Sequence, residues 1–294
     1  METLFSTMKN SKLKSLTGSM KKDKQLQTIG IYIVLALLSV LIILPFLWMV
    51  SSSLKVSHDV FSLPMEWIPK EAKWENYLTI WTKIPLITFF KNTVKLTFII
   101  TILQLLTSSF AAYAFAKMNF TGRDALFLAY VGTIAVPWQV YMVPQFIMMR
   151  RFNLADTHTA IILLQAFTAF GVFLMRQFYL SIPNELSESA RIDGLNEYGI
   201  YWRIILPLSK PAIATLTIFS FVTVWNDYMG PMIYLNSTEM KTIQLGLRMF
   251  ITQYSADYNL IMAAALVSLV PVFILFLFMQ RFFIEGIATS GLKG

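Results

Sequence analysis

The longest uncharged stretch of the sequence predicts a helix that crosses a membrane. No residue between Lys24 and Lys55 carries a charge, and residues 30–50 are almost all apolar. A helix needs about 20 such residues to cross roughly 30 Å of hydrocarbon. Of all residues, 56% are hydrophobic and 14% are charged, whereas about 25% are charged in soluble domains. We therefore expect an all-α, polytopic membrane protein.

Five further runs have a similar length and composition, so six transmembrane helices are expected. The six runs are residues 30–50, 96–116, 125–149, 159–180, 212–235 and 259–280. The other parts are a basic amino-terminal segment (1–28), a region between the first two spans (51–92), a polar hairpin between the fourth and fifth (181–211) and a short tail (281–294). We treat residues 29–294 as one transmembrane domain.

The distribution of lysines predicts which side of the membrane each connection faces. The first 28 residues contain six lysines against Glu2 and Asp23, and flanks rich in positive charge stay in the cytoplasm. Six spans then return the carboxyl terminus to the same side, with the hairpin and tail inside and residues 51–92 outside as an external cap. A cleaved secretory signal is the alternative, but its apolar core would be only about 7–15 residues long. We expect a multi-pass protein of the cell membrane with both termini in the cytoplasm.

The external cap contains one stretch with helical periodicity. Trp74, Tyr77, Leu78 and Trp81 follow the spacing of one helix face. Either an aromatic belt at the membrane interface or a contact with a partner subunit would cover that face.

The polar hairpin has signals for two helices joined by a sharp turn. Pro183 suits the first turn of a helix because its missing N–H would be unpaired there, and Gly194 can adopt the positive φ that ends a helix. Asn196 is a good cap for a second helix, which we expect Pro207 to end. The hairpin would thereby expose the backbone at Gly194, a shape that suits insertion into a groove on another protein.

The residues of this turn resemble a family signature. Glu188, Ala190 and Gly194, followed by Leu206-Pro207, resemble the signature loop of permease subunits of ATP-binding-cassette (ABC) importers, which docks on a separate ATPase subunit; Ser189 stands where that family most often has alanine. The sequence is similar to the carbohydrate branch, in particular to the maltose-type second permease, over nearly its whole length. The further segments that carry the resemblance are Asn92, 111–116, 120–122, 154–157, 176–178, 182–183, 225–227 and 291–294.

The resemblance implies an assembly. Its members would be a second permease subunit, two ATPase subunits that bind ATP and magnesium, and an extracytoplasmic solute-binding protein, with no cofactor in this chain. The solute would be a sugar or oligosaccharide, and a polyol or glycerophosphate is the alternative. The hairpin residues implied to contact the ATPase are Glu188, Ser189, Ala190, Asp193, Gly194, Leu195, Tyr198, Leu206 and Pro207. The tail residues implied to make a second contact are Gly291, Leu292, Lys293 and Gly294.

Polar and aromatic side chains within the predicted spans are candidates for the transport path. A carboxylate at the centre of a bilayer costs about 2.5–3.5 kcal/mol on insertion scales, so Asp227 should be paired or functional. Aromatic rings stack on the C–H faces of sugars, and amides and carboxylates accept hydrogen bonds from their hydroxyl groups. The candidates are Trp225, Asn226 and Asp227, with Trp138, Gln139, Tyr141 and Gln165 as weaker ones. For each, a structural contact between helices is the alternative role.

Other functional classes have less support. Residues 286–291 begin like a phosphate-binding loop, but Leu292 separates Gly291 from Lys293, so we assign ATP hydrolysis to a partner. A secondary transporter would need interrupted, repeated spans with titratable groups at mid-membrane, and only Asp227 fits. Because no His-Glu-x-x-His or Gly-x-Ser-x-Gly motif is present, we do not expect an enzyme. The lysines lie beside a span without stacking aromatics, so no nucleic-acid partner is expected.

Overall fold

The chain is helical throughout the part that the computed structural model describes, residues 2–251 and 256–291, apart from loops and one isolated bridge between Ile251 and Ala256. Side chains are described for residues 25, 27–251 and 256–281. The α-helices in chain order are α1 (Glu2–Ser53), α2 (Asn76–Lys83), α3 (Leu86–Lys117), α4 (Arg123–Gly132), α5 (Trp138–Arg151), α6 (His158–Gln165), α7 (Ala169–Ser181), α8 (Glu185–Ile192), α9 (Glu197–Ile200), α10 (Leu206–Leu208), α11 (Lys210–Trp225), α12 (Met229–Tyr234), α13 (Ile243–Arg248) and α14 (Tyr258–Gly291). Shorter turns are the 3₁₀ segments Ser57–Asp59, Thr133–Ala135 and Thr238–Met240 and the π segment Tyr201–Ile205.

Four helical segments in the described part are long and apolar enough to cross a membrane. They are Gln27–Ser53, Leu86–Lys117, His158–Ser181 and Tyr258–Arg281. Two further candidates are bent pairs, Arg123–Ala135 with Trp138–Arg151 at 98° and Glu197–Leu208 with Lys210–Trp225 at 78°. The described part of the chain therefore has four candidate spans, or up to six if each bent pair counts as one.

Three of the predicted spans are broken rather than continuous. The third breaks before α5 at Pro137, whose ring keeps the preceding Val136 extended. The fourth breaks between α6 and α7, where the side chains of Gln104 and Thr107 in α3 donate hydrogen bonds to the carbonyls of Gln165 (2.8 Å) and Ala166 (2.9 Å). The fifth breaks at residues 226–228, between α11 and α12. Such breaks are tolerated at membrane depth only where protein or a cavity satisfies the freed backbone groups.

The 32-residue helix α3, about 48 Å long, packs against other helices at its start, its middle and its end. At its start, Leu86 and Phe89 pack against α2, α13 and α14. Around its middle, Leu96 and Ile100 pack against α5, α6 and α11. Near its end, Tyr113 packs against α7 and the hairpin. The buried core of the described residues therefore consists of three clusters arranged along one helix.

The aromatic stretch of the cap is only partly covered by this chain. Trp74 precedes α2, and its side chain and that of Leu78 are exposed. Tyr77 and Trp81 instead pack against the cluster at the start of α3. The aromatic-belt and partner alternatives therefore concern Trp74 and Leu78.

Close packing between α3 and α7 generates a testable prediction. A Cβ added at Gly171 would lie 2.3 Å from Ser108 Oγ and 2.7 Å from Thr168 Cγ2. Gly171→Val should therefore destabilise the protein by about 1–3 kcal/mol, the usual cost of overpacking. Gly132→Val is the matched control, because nothing lies within 4 Å of a Cβ there. Thermal unfolding in detergent should show a lower midpoint for the first variant alone; equal midpoints would contradict the packing argument.

Candidate functional site

The hairpin (residues 181–211) has the two helices and the turn that the sequence predicts. Gly194 has φ +85°, a conformation that glycine adopts without steric cost. The side chain of Asn196 accepts a hydrogen bond from the Gly199 N–H at 2.8 Å and so caps the second helix. The predicted glycine turn and asparagine cap are confirmed.

Two predicted helix ends differ from the structure. The first helix begins at Glu185, not at Pro183, and Asn184 just before it accepts a hydrogen bond from Lys117 Nζ (2.8 Å). The second helix does not end before Pro207, because the chain stays helical to Leu208. It reaches that point through a π turn before the proline and then bends by 78° into α11.

The inner face of the hairpin is part of the protein core. Ala190, Ile200, Tyr201 and Ile205 are buried in one cluster with side chains of α3, α7 and α11. Leu195 and Leu206, two of the residues implied to contact an ATPase, are half-buried against the same cluster, and Ala190 is fully within it. Because close-packed groups move together, displacing this face requires the ends of the adjacent helices to move.

A set of polar contacts made by Tyr113, Lys117, Arg191 and Glu197, which we call the brace, fixes the hairpin to α3 and closes the turn. The Tyr113 hydroxyl donates to Glu197 Oε2 at 2.6 Å, and Arg191 Nε donates to Glu197 Oε1 at 2.8 Å. The hydrogen bond from Arg191 is the largest cause that lowers the pKa of the Glu197 carboxyl. Lys117 Nζ also donates to the carbonyl of Ile182 at 2.6 Å. The brace therefore joins both hairpin helices to the last turns of α3.

The outer face of the hairpin exposes apolar side chains beside the turn. Ile192 is 86% exposed and Tyr198 is 72% exposed, and they flank Gly194 on either side. The other exposed residues among those implied to contact an ATPase are Glu188, Ser189, Asp193, Gly194 and Pro207. Ile192 is absent from that set, although its position two residues after the buried Ala190 places it on the opposite side of the helix.

The carboxyl tail is only partly described. Gly291 is the last described residue and ends α14. Leu292, Lys293 and Gly294, the other residues implied to make a second ATPase contact, lie outside the described residues.

A second candidate site is a cavity of about 350 Å³ between the broken helices. Asp227, Trp138, Tyr141 and Gln165, all path candidates from the sequence, line it. Asp227 Oδ2 accepts a hydrogen bond from Gln165 Nε2 at 2.7 Å. The cavity thus brings together candidates that lie far apart in the sequence.

Three other path candidates do not line this cavity. Trp225 is buried and donates to the carbonyl of Ser268 in α14 at 3.0 Å. Asn226 accepts from Gln244 Nε2 at 3.3 Å, and Gln139 is exposed. Gln139 follows Trp138 within α5, where successive residues point about 100° apart. Helix α11 ends at Trp225, so the triplet 225–227 turns with the chain and does not face one cavity.

No group of three or more histidine, aspartate or glutamate side chains in the described part of the chain is arranged to hold a metal ion. The described fold and the two sites define a polytopic membrane protein with a braced polar hairpin and a polar cavity among broken helices.

Comparison with known proteins identifies the family. Residues 104–288 match the family described as "Binding-protein-dependent transport system inner membrane component". The chain belongs to this family and is a permease of the ABC importer type.

Curated relatives cover most of the chain. The arabinooligosaccharides transport system permease protein AraQ of Halalkalibacterium halodurans is 35% identical over 88% of this chain and 94% of its own length. The lactose transport system permease protein LacG of Rhizobium radiobacter is 31% identical over 91% and 97%. The sn-glycerol-3-phosphate transport system permease protein UgpE of Yersinia pestis is 33% identical over 79% and 85%.

A solved structure has the same fold. A chain of a bacterial ABC transporter involved in the import of the acidic polysaccharide alginate superposes with a TM-score of 0.78. It is 24% identical in sequence, and the match covers 88% of this chain and 97% of that one.

The brace generates a second prediction. Tyr113→Phe removes the hydroxyl that donates to Glu197 and should cost about 1–2 kcal/mol of local stability. Because hydrogen exchange reports local opening, backbone amides of residues 185–205 should exchange about tenfold faster. Tyr130→Phe is the control, since Tyr130 packs against the same cluster and its hydroxyl forms no hydrogen bond with the described residues. Equal exchange in both variants would show that the brace does not hold the hairpin.

Proposed function

We propose that this chain is one of two permease subunits of an ATP-driven importer that carries a sugar or oligosaccharide. It crosses the membrane six times, with both termini and the hairpin in the cytoplasm. The count of up to six candidate spans in the described residues and the amino-terminal lysines support this topology. ATP and magnesium bind to two separate ATPase subunits, and an extracytoplasmic solute-binding protein delivers the solute.

The observation that carries the proposal is the contrast between the two faces of the hairpin. Its outer face presents Ile192 and Tyr198 beside the Gly194 backbone, and exposed apolar side chains at a turn suit a groove on a partner. Its inner face belongs to the core of the membrane helices. When the ATPases close, they displace the hairpin, and the helices packed on it move as a body.

The contact with the ATPase involves the exposed hairpin residues. Ile192 and Tyr198 enter the groove, with Gly194 at the tip and Glu188 and Asp193 at the rim. Ala190, Leu195 and Leu206 act from beneath by fixing the hairpin on the core. The tail, Gly291 to Gly294, makes the second contact that the family resemblance implies.

The relatives support a carbohydrate as the solute. Two of them are named for arabinooligosaccharides and for lactose, while a third, named for sn-glycerol 3-phosphate, supports the alternative of a phosphorylated polyol. A solved alginate ABC transporter in complex with a pentasaccharide-bound periplasmic protein has a TM-score of 0.62, and its fold is consistent with delivery by a binding protein.

Substitution of Gly194 tests the docking role. Asparagine and aspartate tolerate positive φ better than most residues, and a Cβ at Gly194 would meet nothing within 4 Å. Gly194→Asn and Gly194→Asp should therefore fold but obstruct the groove, lowering ATP hydrolysis stimulated by the loaded binding protein by about tenfold or more, as expected for a central interface residue. The assay uses the purified, assembled complex.

Gly122→Asn is the matched control for this test. Gly122 has φ +83° and equally open space, but it lies in the turn before α4, outside the hairpin. The control should keep full stimulation. Full stimulation in both Gly194 variants would reject the docking role.

A further inference from the structure

The cavity lies where all three helix breaks meet. Trp138 follows the break before α5, Thr168 lies in the break between α6 and α7, and Asp227 lies in the break between α11 and α12; all three line the cavity. Discontinuous membrane helices commonly surround a transported solute, because the broken backbone supplies polar groups. With about 350 Å³, the cavity is at the small end of the range for ligand sites, roughly 300–1,000 Å³.

The charge of the lining restricts the solute. Its polar side chains include Gln104, Gln145, Gln165, Thr168, Thr223 and Asp227. No lysine, arginine or histidine is among the described residues that line it. A phosphate or carboxylate would lack a cationic partner there and would be repelled by Asp227.

The Asp227 carboxylate can accept more hydrogen bonds than the two it accepts from this chain. Its Oδ1 accepts from the Gly230 N–H at 3.1 Å, and its Oδ2 accepts from Gln165 Nε2 at 2.7 Å. A carboxylate has about four lone-pair sites, so about two remain for hydroxyl groups in the cavity. A Cβ at Gly230 would stand 2.5 Å from Asp227 Oδ2. Gly230 therefore has to be glycine for the carboxylate to occupy this position.

Two aromatic side chains in the cavity lining are held by hydrogen bonds to the same amide side chain, that of Gln145. Gln145 Oε1 accepts from Trp138 Nε1 at 3.0 Å and from the Tyr234 hydroxyl at 3.3 Å. Both rings line the cavity. Rings with electron-rich faces, next to a hydroxyl acceptor, match the alternating C–H and O–H surface of a sugar ring.

Resting on the proposed transport function, we infer that this chain itself binds the solute in the cavity and that the site takes an uncharged sugar unit and excludes anions. Asp227 accepts hydrogen bonds from sugar hydroxyls, Trp138 stacks on the ring, and Gln165 and Gly230 are positioning residues for Asp227. The anionic solutes named for two similar proteins, alginate and sn-glycerol 3-phosphate, do not fit this lining.

Thiol labelling tests the inference, because the chain contains no cysteine. Thr223→Cys places a thiol in the cavity wall, and Gln139→Cys places one on an exposed position that does not line it. The rate of maleimide labelling of this chain is measured in the complete importer with lactose, arabinotriose or sn-glycerol 3-phosphate added. At least one of the two sugars should slow labelling of Thr223→Cys several-fold, sn-glycerol 3-phosphate should not, and labelling of Gln139→Cys should be unchanged.

Two further variants address the role of the carboxylate. In the Thr223→Cys background, Asp227→Asn keeps the shape and the hydrogen bond from Gly230 but weakens the acceptor, so about tenfold more sugar should be needed for half-protection. Gly230→Ala should act in the same direction by displacing Asp227. Because Asp227→Asn preserves the local shape, a folding failure of Gly230→Ala leaves the test intact.

The results that would overturn the inferred sugar site differ from those that would overturn the proposed transport function. Protection by sn-glycerol 3-phosphate equal to that by sugar, unchanged protection in Asp227→Asn, or no protection by either sugar would overturn the inference. If stimulated ATP hydrolysis still depends on Gly194 in that case, the transport role stands and only the sugar site on this chain is rejected.

Discussion

The contact on which the structure depends is the burial of the hairpin against the ends of the membrane helices. Ala190, Ile200, Tyr201 and Ile205 share one core with α3, α7 and α11, and the Tyr113–Glu197 hydrogen bond adds a fixed polar link at 2.6 Å. A hairpin joined to the membrane helices only by loops would move without displacing those helices. A hairpin that belongs to the core transmits displacement, because packed interiors resist deformation.

Three helices extend from the hairpin to the cavity. In α3, Tyr113 is in the brace and Gln104, nine residues earlier or about 14 Å along the axis, lines the cavity. Helix α7 ends at the hairpin and begins beside the break at Thr168, while α11 begins at the end of the hairpin and ends next to Asp227. Movement of the hairpin would therefore reach three walls of the cavity through continuous helices, which connects the two proposed sites physically.

Features set by local chemistry could be predicted from the sequence, whereas those set by distant contacts could not. The uncharged runs located the apolar helices, and the Gly194 turn and Asn196 cap followed from backbone preferences. The break between α6 and α7 contains no proline or glycine that would predict it. Its carbonyls accept hydrogen bonds from Gln104 and Thr107, about 60 residues earlier, and this distant contact is what stabilises the break. Likewise, the triplet 225–227 suggested one surface, but the turn of the chain directs Trp225 to α14 and Asp227 to the cavity.

The central claim is that an ATPase binds the exposed tip of the hairpin, and site-directed cross-linking tests it most directly. A single Ile192→Cys in this cysteine-free chain carries a short photoreactive cross-linker in the assembled importer, with Phe152→Cys, exposed in the loop after α5, as the comparison. The account predicts an adduct with the ATPase subunit from position 192 and none from position 152. Absence of that adduct, or labelling of position 192 by a membrane-impermeant reagent from outside intact cells, would contradict it.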